Sequence, residues 1–174
     1  NIVGIEALLR WNNPILGNVA PDRFIPVAEK TGHIIYIGEW VLKQVCNQIK
    51  LWQQAGRSIL SVAVNVSVKQ LEQIGFSKRV KEIAEEYNVR PDNIELEITE
   101  SVSSGNLTNI LKNLKELKKD GFKISMDDFG RGFSSLGQID RFELDKLKID
   151  KIFIDGILNI SKKQNLVKSI IAMA

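Results

Sequence analysis

Ile94-Glu95-Leu96-Glu97-Ile98-Thr99-Glu100 places two glutamates inside a run whose other residues are those of a buried β-strand. Strands of a parallel sheet are covered on both faces and run almost continuously apolar. An ionisable residue inside one is therefore costly unless it is paired or bound to something. Three further segments break the same rule: Ser61-Val62-Ala63-Val64-Asn65, Ile124-Ser125-Met126-Asp127-Asp128 and Lys146-Leu147-Lys148-Ile149-Asp150. In each, the polar residue falls near the carboxyl end. Such recurrence is expected of one site assembled from several strands, the way parallel barrels build their active centres.

Outward from these segments, strand-like and helix-like stretches alternate along the chain. A strand over 2–9 precedes a Pro/Gly/Asn loop over 12–21, a short helix over 24–30 and a long helix from about 38 to 54. In the long helix Trp40, Val41, Val45, Ile49 and Trp52 recur at helical spacing, which predicts that the tryptophans belong to the core. Strand 59–66, helix 77–87, strand 94–99, helix 106–119 and strand 122–127 follow, with Asp120-Gly121 ending the last helix of this series. A loop over 129–135 leads to strand 144–149, and a final helix begins near Lys162. Five β/α units imply a parallel sheet or barrel. A complete (β/α)8 barrel needs roughly 250 residues. The chain also opens inside a strand pattern and ends in mid-helix. The expectation is an α/β chain, an incomplete (β/α)8 TIM-type barrel of about five β/α units, with residues 1–174 forming one partial domain. An open doubly wound sheet is the competing architecture.

Bulk properties exclude several classes. The 174 residues are 44% hydrophobic and 26% charged, enough for one sizeable core and without disordered bias. The net charge of +3 is spread over helix-like stretches such as 111–119, the pattern of a solvated face rather than a DNA- or RNA-binding footprint. The single cysteine, Cys46, permits no internal disulfide and fits a reducing compartment. No apolar run approaches membrane length. The expected location is the cytoplasm, free or as the cytoplasmic part of a membrane-tethered protein.

The polar residues indicate a chemistry. Glu6, Asn65, Glu97 and Asp127 are hard oxygen donors from four strand-like segments, a set that suits Mg²⁺ or Mn²⁺ rather than zinc. The lone histidine, His33, follows Thr31-Gly32 in a loop, and Cys46 lies in a helix, so a Ser-His-Asp or Cys-His mechanism has no members. Metal-assisted hydrolysis remains. Asp127 and Asp128 would point to opposite faces of a regular strand, yet at a strand end the second can turn toward a second cation or a water; otherwise it caps the following turn. Lys148, an ammonium inside an apolar strand, needs carboxylates around it to stay charged and could then position an attacking water or form a structural ion pair. Lys146 shares its face. Glu100 could support the loop that begins near Asp127 or cap a helix through Thr99-Glu100-Ser101. Gly130 and Gly132 give that loop freedom, while Arg10 suits a phosphate or a guanine edge, or else a rim salt bridge.

Glu6-Ala7-Leu8-Leu9-Arg10-Trp11 resembles the signature of the EAL-domain cyclic di-GMP phosphodiesterases. The stretch over 21–32, Val64-Asn65-Val66-Ser67, Glu95-Leu96-Glu97-Ile98-Thr99-Glu100, Asp127-Asp128-Phe129-Gly130 and Lys146-Leu147-Lys148-Ile149-Asp150 resemble the family's other blocks, in its order and across nearly the whole chain. The resemblance implies a (β/α)8 barrel that hydrolyses one phosphodiester bond of cyclic di-GMP to linear pGpG with two Mg²⁺ or Mn²⁺ ions. By position Glu6, Asn65, Glu97 and Asp127 match its metal ligands, and Asp128 matches a ligand and substrate contact on the second-metal side. Lys148 matches the lysine that orients the water, Glu100 the glutamate that holds the loop after the paired aspartates, and Leu8 and Arg10 substrate contacts. Where the family loop reads Asp-Phe-Gly-Thr-Gly-Tyr-Ser-Ser, this chain has Arg131 and Phe133 in place of Thr and Tyr.

The family's first strand would precede Asn1, and its later strands, carrying a further glutamate and a glutamine, would follow Ala174. The piece alone is then expected to be nearly inactive, and its open edges to favour a homodimer. The implied partners are cyclic di-GMP and GGDEF-type or sensory domains in the full-length protein, with no DNA or RNA polymer. The alternative is a silent module that binds cyclic di-GMP or a protein without turnover.

Overall fold

The structure, a computed structural model, describes residues 4–57, 61–130 and 140–173. Among them, five strands form one parallel sheet in the order β1 (Gly4–Ala7), β4 (Ser61–Asn65), β5 (Ile94–Thr99), β6 (Lys123–Phe129) and β7 (Lys146–Ile149). The sheet curls as half of a (β/α)8 barrel. Helices α1 (Pro21–Thr31), α2 (Ile34–Gln54), α3 (Val68–Leu71), α4 (Phe76–Glu86), α5 (Leu107–Lys119), α6 (Lys151–Ile154) and α7 (Ser161–Met173) lie between and after the strands.

The register divides the sheet into two chemically distinct faces. Glu6 lies beside Ala63, Ala63 beside Glu95, Asn65 beside Glu97, Glu97 beside Ser125, Thr99 beside Asp127, and Ser125 beside Lys146. Side chains alternate along a strand, so all of these, with Lys148, share one face. The other face carries Val62, Val64, Ile94, Leu96, Ile98, Ile124, Met126, Leu147 and Ile149, which pack with Leu42, Cys46 and Ile49 of α2, Val80 and Ile83 of α4, and Ile110, Leu114 and Leu117 of α5. Apolar area buried between sheet and helices is the main stabilising term, at roughly 25 cal/mol per Å². The polar face must be stabilised by pairing.

Local signals explain the joins. The Asn106 side chain accepts from the Asn109 N–H to cap α5, and Lys118 and Lys119 meet its carboxyl end. The Gln70 side chain accepts from the Ser67 N–H at the start of α3. The predicted loop over 12–21 contains a small antiparallel hairpin instead, β2 (Trp11–Asn13) and β3 (Gly17–Val19). Asn13 Oδ1 accepts from the N–H groups of Ile15 and Leu16, an Asx turn that closes it. Helix α2 begins at Ile34, not at Gly38. Gly38 lies inside the helix because the Gln70 side chain packs against its Cα; a Cβ there would fall 1.9 Å from Gln70 Nε2.

Trp40 corrects the expectation of two core tryptophans. Trp52 packs on the core, but Trp40 is 55% exposed. It lines an apolar groove with Trp11, Val27, Tyr36 and Ile37, bordered by the hairpin, α1 and α2. The buried stripe of α2 runs through Ile34, Gly38, Leu42, Val45, Cys46 and Ile49, and at 100° per residue Trp40 stands on the opposite side of the helix from Ile49.

Candidate active site

The carboxyl ends of the parallel strands deliver the functional side chains to one face. Glu6 is the penultimate residue of β1, Asn65 ends β4, Glu97 lies in β5, Asp127 in β6 and Lys148 in β7. Asn65 Nδ2 donates to Glu6 Oε1 at 2.9 Å. Lys148 Nζ forms an ion pair with Glu97 Oε1. The Glu97 side chain is fully buried; Lys148 meets its Oε1, and among the described residues its Oε2 has no hydrogen-bond partner.

The electrostatics follow from this packing. Burial pushes the Glu97 carboxyl above the usual carboxylate range; contact with Lys148 only partly offsets it, and the negative charges of Glu6 and Asp127 push the same way. Burial alone would lower the Lys148 ammonium, but contact with Glu97 and the fields of Asp127 and Glu6 outweigh it and hold it above the ordinary lysine range.

A β-bulge sets the paired aspartates. Met126 pairs with Leu147 and Phe129 with Ile149, so Asp127 and Asp128 together oppose the single residue Lys148. The extra residue breaks the alternation that would send Asp128 to the helical side. Asp128 adopts φ +54, in the left-handed region that Asp tolerates better than most residues, and its N–H donates to Asp127 Oδ1 at 2.9 Å. Just beyond, the buried Glu100, in a 3₁₀ turn over Glu100–Ser104, accepts from the Gly130 N–H through Oε2 at 3.1 Å. Gly130 has φ +101 and lies under Phe153. Arg131, Gly132 and Phe133, with the rest of the loop through Ser135, lie outside the described residues.

Leu8 and Arg10 stand at the rim. Leu8 is exposed, and the Arg10 guanidinium folds back to donate to its neighbour's carbonyl, Leu9 O, at 2.9 Å. His33 and Cys46 stay apart from this face. A His33 ring nitrogen meets Thr31 Oγ1 at 2.9 Å, and burial, with the negative charge of Glu86 adding to it, pushes the Cys46 thiol up to about 12.

Among the described residues no three His, Cys, Asp or Glu side chains gather into a ready metal cluster. The geometry accounts for this, because one donor is the Asn65 amide, Glu6 is engaged by it, and Glu97 is engaged by Lys148. The donor set still suits a hard divalent cation. It is all oxygen, and Glu97 Oε2 is a buried acceptor with no hydrogen-bond partner among the described residues. Sequence reasoning missed Glu95, whose carboxylate receives Lys146 Nζ on both oxygens, at 2.8 and 2.7 Å. Burial would raise Glu95, yet Lys146 holds it below the ordinary carboxylate value. The signal was present as matched i, i+2 glutamates and lysines on two strands.

A curled parallel sheet with its charged residues at the strand carboxyl ends defines the β/α-barrel class, where function resides at that end. The chain belongs to the EAL domain family, whose profile matches residues 1–174. It is 39% identical over 172 residues to the bifunctional diguanylate cyclase/cyclic di-GMP phosphodiesterase MucR of Pseudomonas aeruginosa, covering 99% of this chain and 25% of that protein. It is 36% identical over 170 residues to the cyclic di-GMP phosphodiesterase PdeR of Escherichia coli, covering 98% and 26%. Among solved structures, the PaMucR phosphodiesterase in its c-di-GMP complex superimposes with a TM-score of 0.90 at 39% identity, over 99% of this chain and 70% of that one. The chain thus spans about a quarter of the length of these two curated relatives.

Proposed function

We propose that residues 1–174 form part of an EAL-type domain that hydrolyses one phosphodiester bond of cyclic di-GMP to give pGpG, with Mg²⁺ or Mn²⁺. The observation that carries this reading is the ion pair of Lys148 with the buried Glu97, flanked on one face by Asp127, Glu6 and Asn65. Glu6, Asn65, Glu97, Asp127 and Asp128 would hold the cations. Bound there, two divalent ions supply Lewis-acid neutralisation of the phosphate and lower the pKa of water.

The chain's own residues do the rest. Lys148, kept charged by its carboxylates, orients the attacking water through its N–H donors. Glu100 fixes the backbone at Gly130 and so the start of the loop that follows the paired aspartates. Leu8 offers apolar contact to a base, and Arg10, released from Leu9, reaches a phosphate or guanine edge. MucR and PdeR are named for this activity, which supports the substrate assignment. The name of MucR also supports a diguanylate cyclase unit of GGDEF type elsewhere in the whole protein. A homodimer belongs to the same proposal, and a cytoplasmic site suits a nucleotide messenger. No described helix is long and apolar enough to cross a membrane.

The test is turnover of cyclic di-GMP by the whole protein with Mn²⁺, alongside Lys148→Ala. The expected result is pGpG from the wild type and a loss of roughly 10²–10⁴ in kcat from the variant, the usual size of a lost general acid–base or water-positioning group. Tight binding without turnover by the wild type would move the assignment to a sensor module.

A further inference from the structure

One row below the proposed site, the same face holds a second ion pair that no step of the hydrolysis uses. Lys146 Nζ grips both oxygens of Glu95, which is 4% exposed. The register makes this choice of partner informative. Lys146 pairs with Ser125, and Ser125 with Glu97, so Lys146 stands in the row of Glu97 and reaches back one row to Glu95. Lys148, two residues on and about 6.6 Å further along the strand, likewise reaches back, to Glu97. Two lysines and two glutamates therefore form a slanted ladder in which every partner is displaced by one step.

An ammonium on a flexible four-carbon stem can turn to any carboxylate within its reach. Without Glu95, the register leaves two described carboxylates on this face for Lys146 to turn to: Glu97, in its own row, and Asp127, one row on in the neighbouring strand. A second ammonium on Glu97 would place like charge where a cation has to bind. The geometry points to Glu95 as a positioning residue that draws Lys146 down and away from Glu97, leaving Lys148 as the one ammonium facing the metal row. The catalytic consequence rests on the hydrolase reading, whereas the placement of Lys146 does not.

Glu95→Met removes the carboxylate while keeping an unbranched side chain of similar length, and the Glu95→Met/Lys146→Met double variant removes the freed ammonium as well. In the whole protein, calorimetric titration with Mn²⁺ is expected to show affinity about tenfold or more weaker in the single variant, the range typical of a lost partner behind a metal ligand. The kcat for cyclic di-GMP falls with KM nearly unchanged. The double variant returns both close to wild type, which a merely structural role for Glu95 would not allow. A crystal structure of the single variant shows Lys146 Nζ on Glu97. If Glu95→Met does not fold, Glu95→Gln is read in the same way. Unchanged metal affinity in the single variant, a double variant as impaired as the single, or Lys146 turned to solvent overturns the inference. Should the wild type neither bind Mn²⁺ nor cleave cyclic di-GMP, the hydrolase reading falls, and the position of Lys146 in the variant crystal still decides the placement.

Discussion

Glu97 carries two demands that conflict. Its carboxylate lies fully buried, with Lys148 as the ion-pair partner of Oε1 and no hydrogen-bond partner for Oε2 among the described residues. Removing one member of a buried pair usually costs several kcal/mol because the other is stranded. Lys148 is not stranded here, since its side chain is 30% exposed and the charges of Asp127 and Glu6 act on it. Glu97→Gln, which removes a charge that burial disfavours, is therefore expected to raise the urea midpoint at neutral pH without metal. The same variant should lose most of the stabilisation that Mn²⁺ gives the wild type, because a ligand that binds only the folded state stabilises in proportion to its affinity. Paired urea titrations with and without Mn²⁺ measure both. At this scale the sequence was informative where a residue violated its surroundings: Lys148 and Glu97 stand out in apolar runs. Glu95 stands out equally, but whether a buried charge meets an ion or another side chain depends on strand register, which no single segment encodes.

Elements were legible through their period and their punctuation. The strand and helix order was readable because the alternation and the 3.6-residue spacing are local. Their ends were not, because closure depends on contacts from elsewhere: Gln70 against Gly38, and the Asn13 side chain turning the hairpin. The bulge in β6 was hidden for the same reason, since it exists only relative to β7. At its far end Gly130 meets two constraints, φ +101 and the Phe153 ring, which would lie 2.4 Å from an added Cβ. Gly130→Ala is expected to destabilise by about 1–2 kcal/mol from backbone strain alone, with the cost of moving Phe153 added. Urea denaturation measures the loss, and an unchanged midpoint would show that the strand end relaxes freely.

Across the whole molecule, acid should act unevenly. Glu95 and Asp145 both sit below their ordinary values of 4.5 and 3.8. Burial works against this in each case; for Glu95 it is offset by Lys146, and for Asp145 by Lys118 and the Ile124 N–H. A carboxyl with a depressed folded pKa contributes stability above its unfolded pKa and loses it as pH falls through the folded value. Glu97, raised from 4.5, has the opposite sign: its contribution is present in acid and lost as pH rises through its folded pKa. Stability is thus expected to fall steeply only below about pH 4.5. Lys146→Met should flatten that acid limb, as followed by urea midpoints against pH. A midpoint insensitive to pH in this range would mean that the ladder adds nothing to folding.

The two-faced sheet has a further consequence for how such a chain can change over generations. Every second strand residue answers to packing against α2, α4 and α5, and the residues between answer to the ladder and the site. Exchanges on the concave side leave the oily interior intact, so a lineage can lose its chemistry, or acquire another, while the scaffold still folds. Relatives that keep this shape yet no longer cut anything are a natural product of such an architecture.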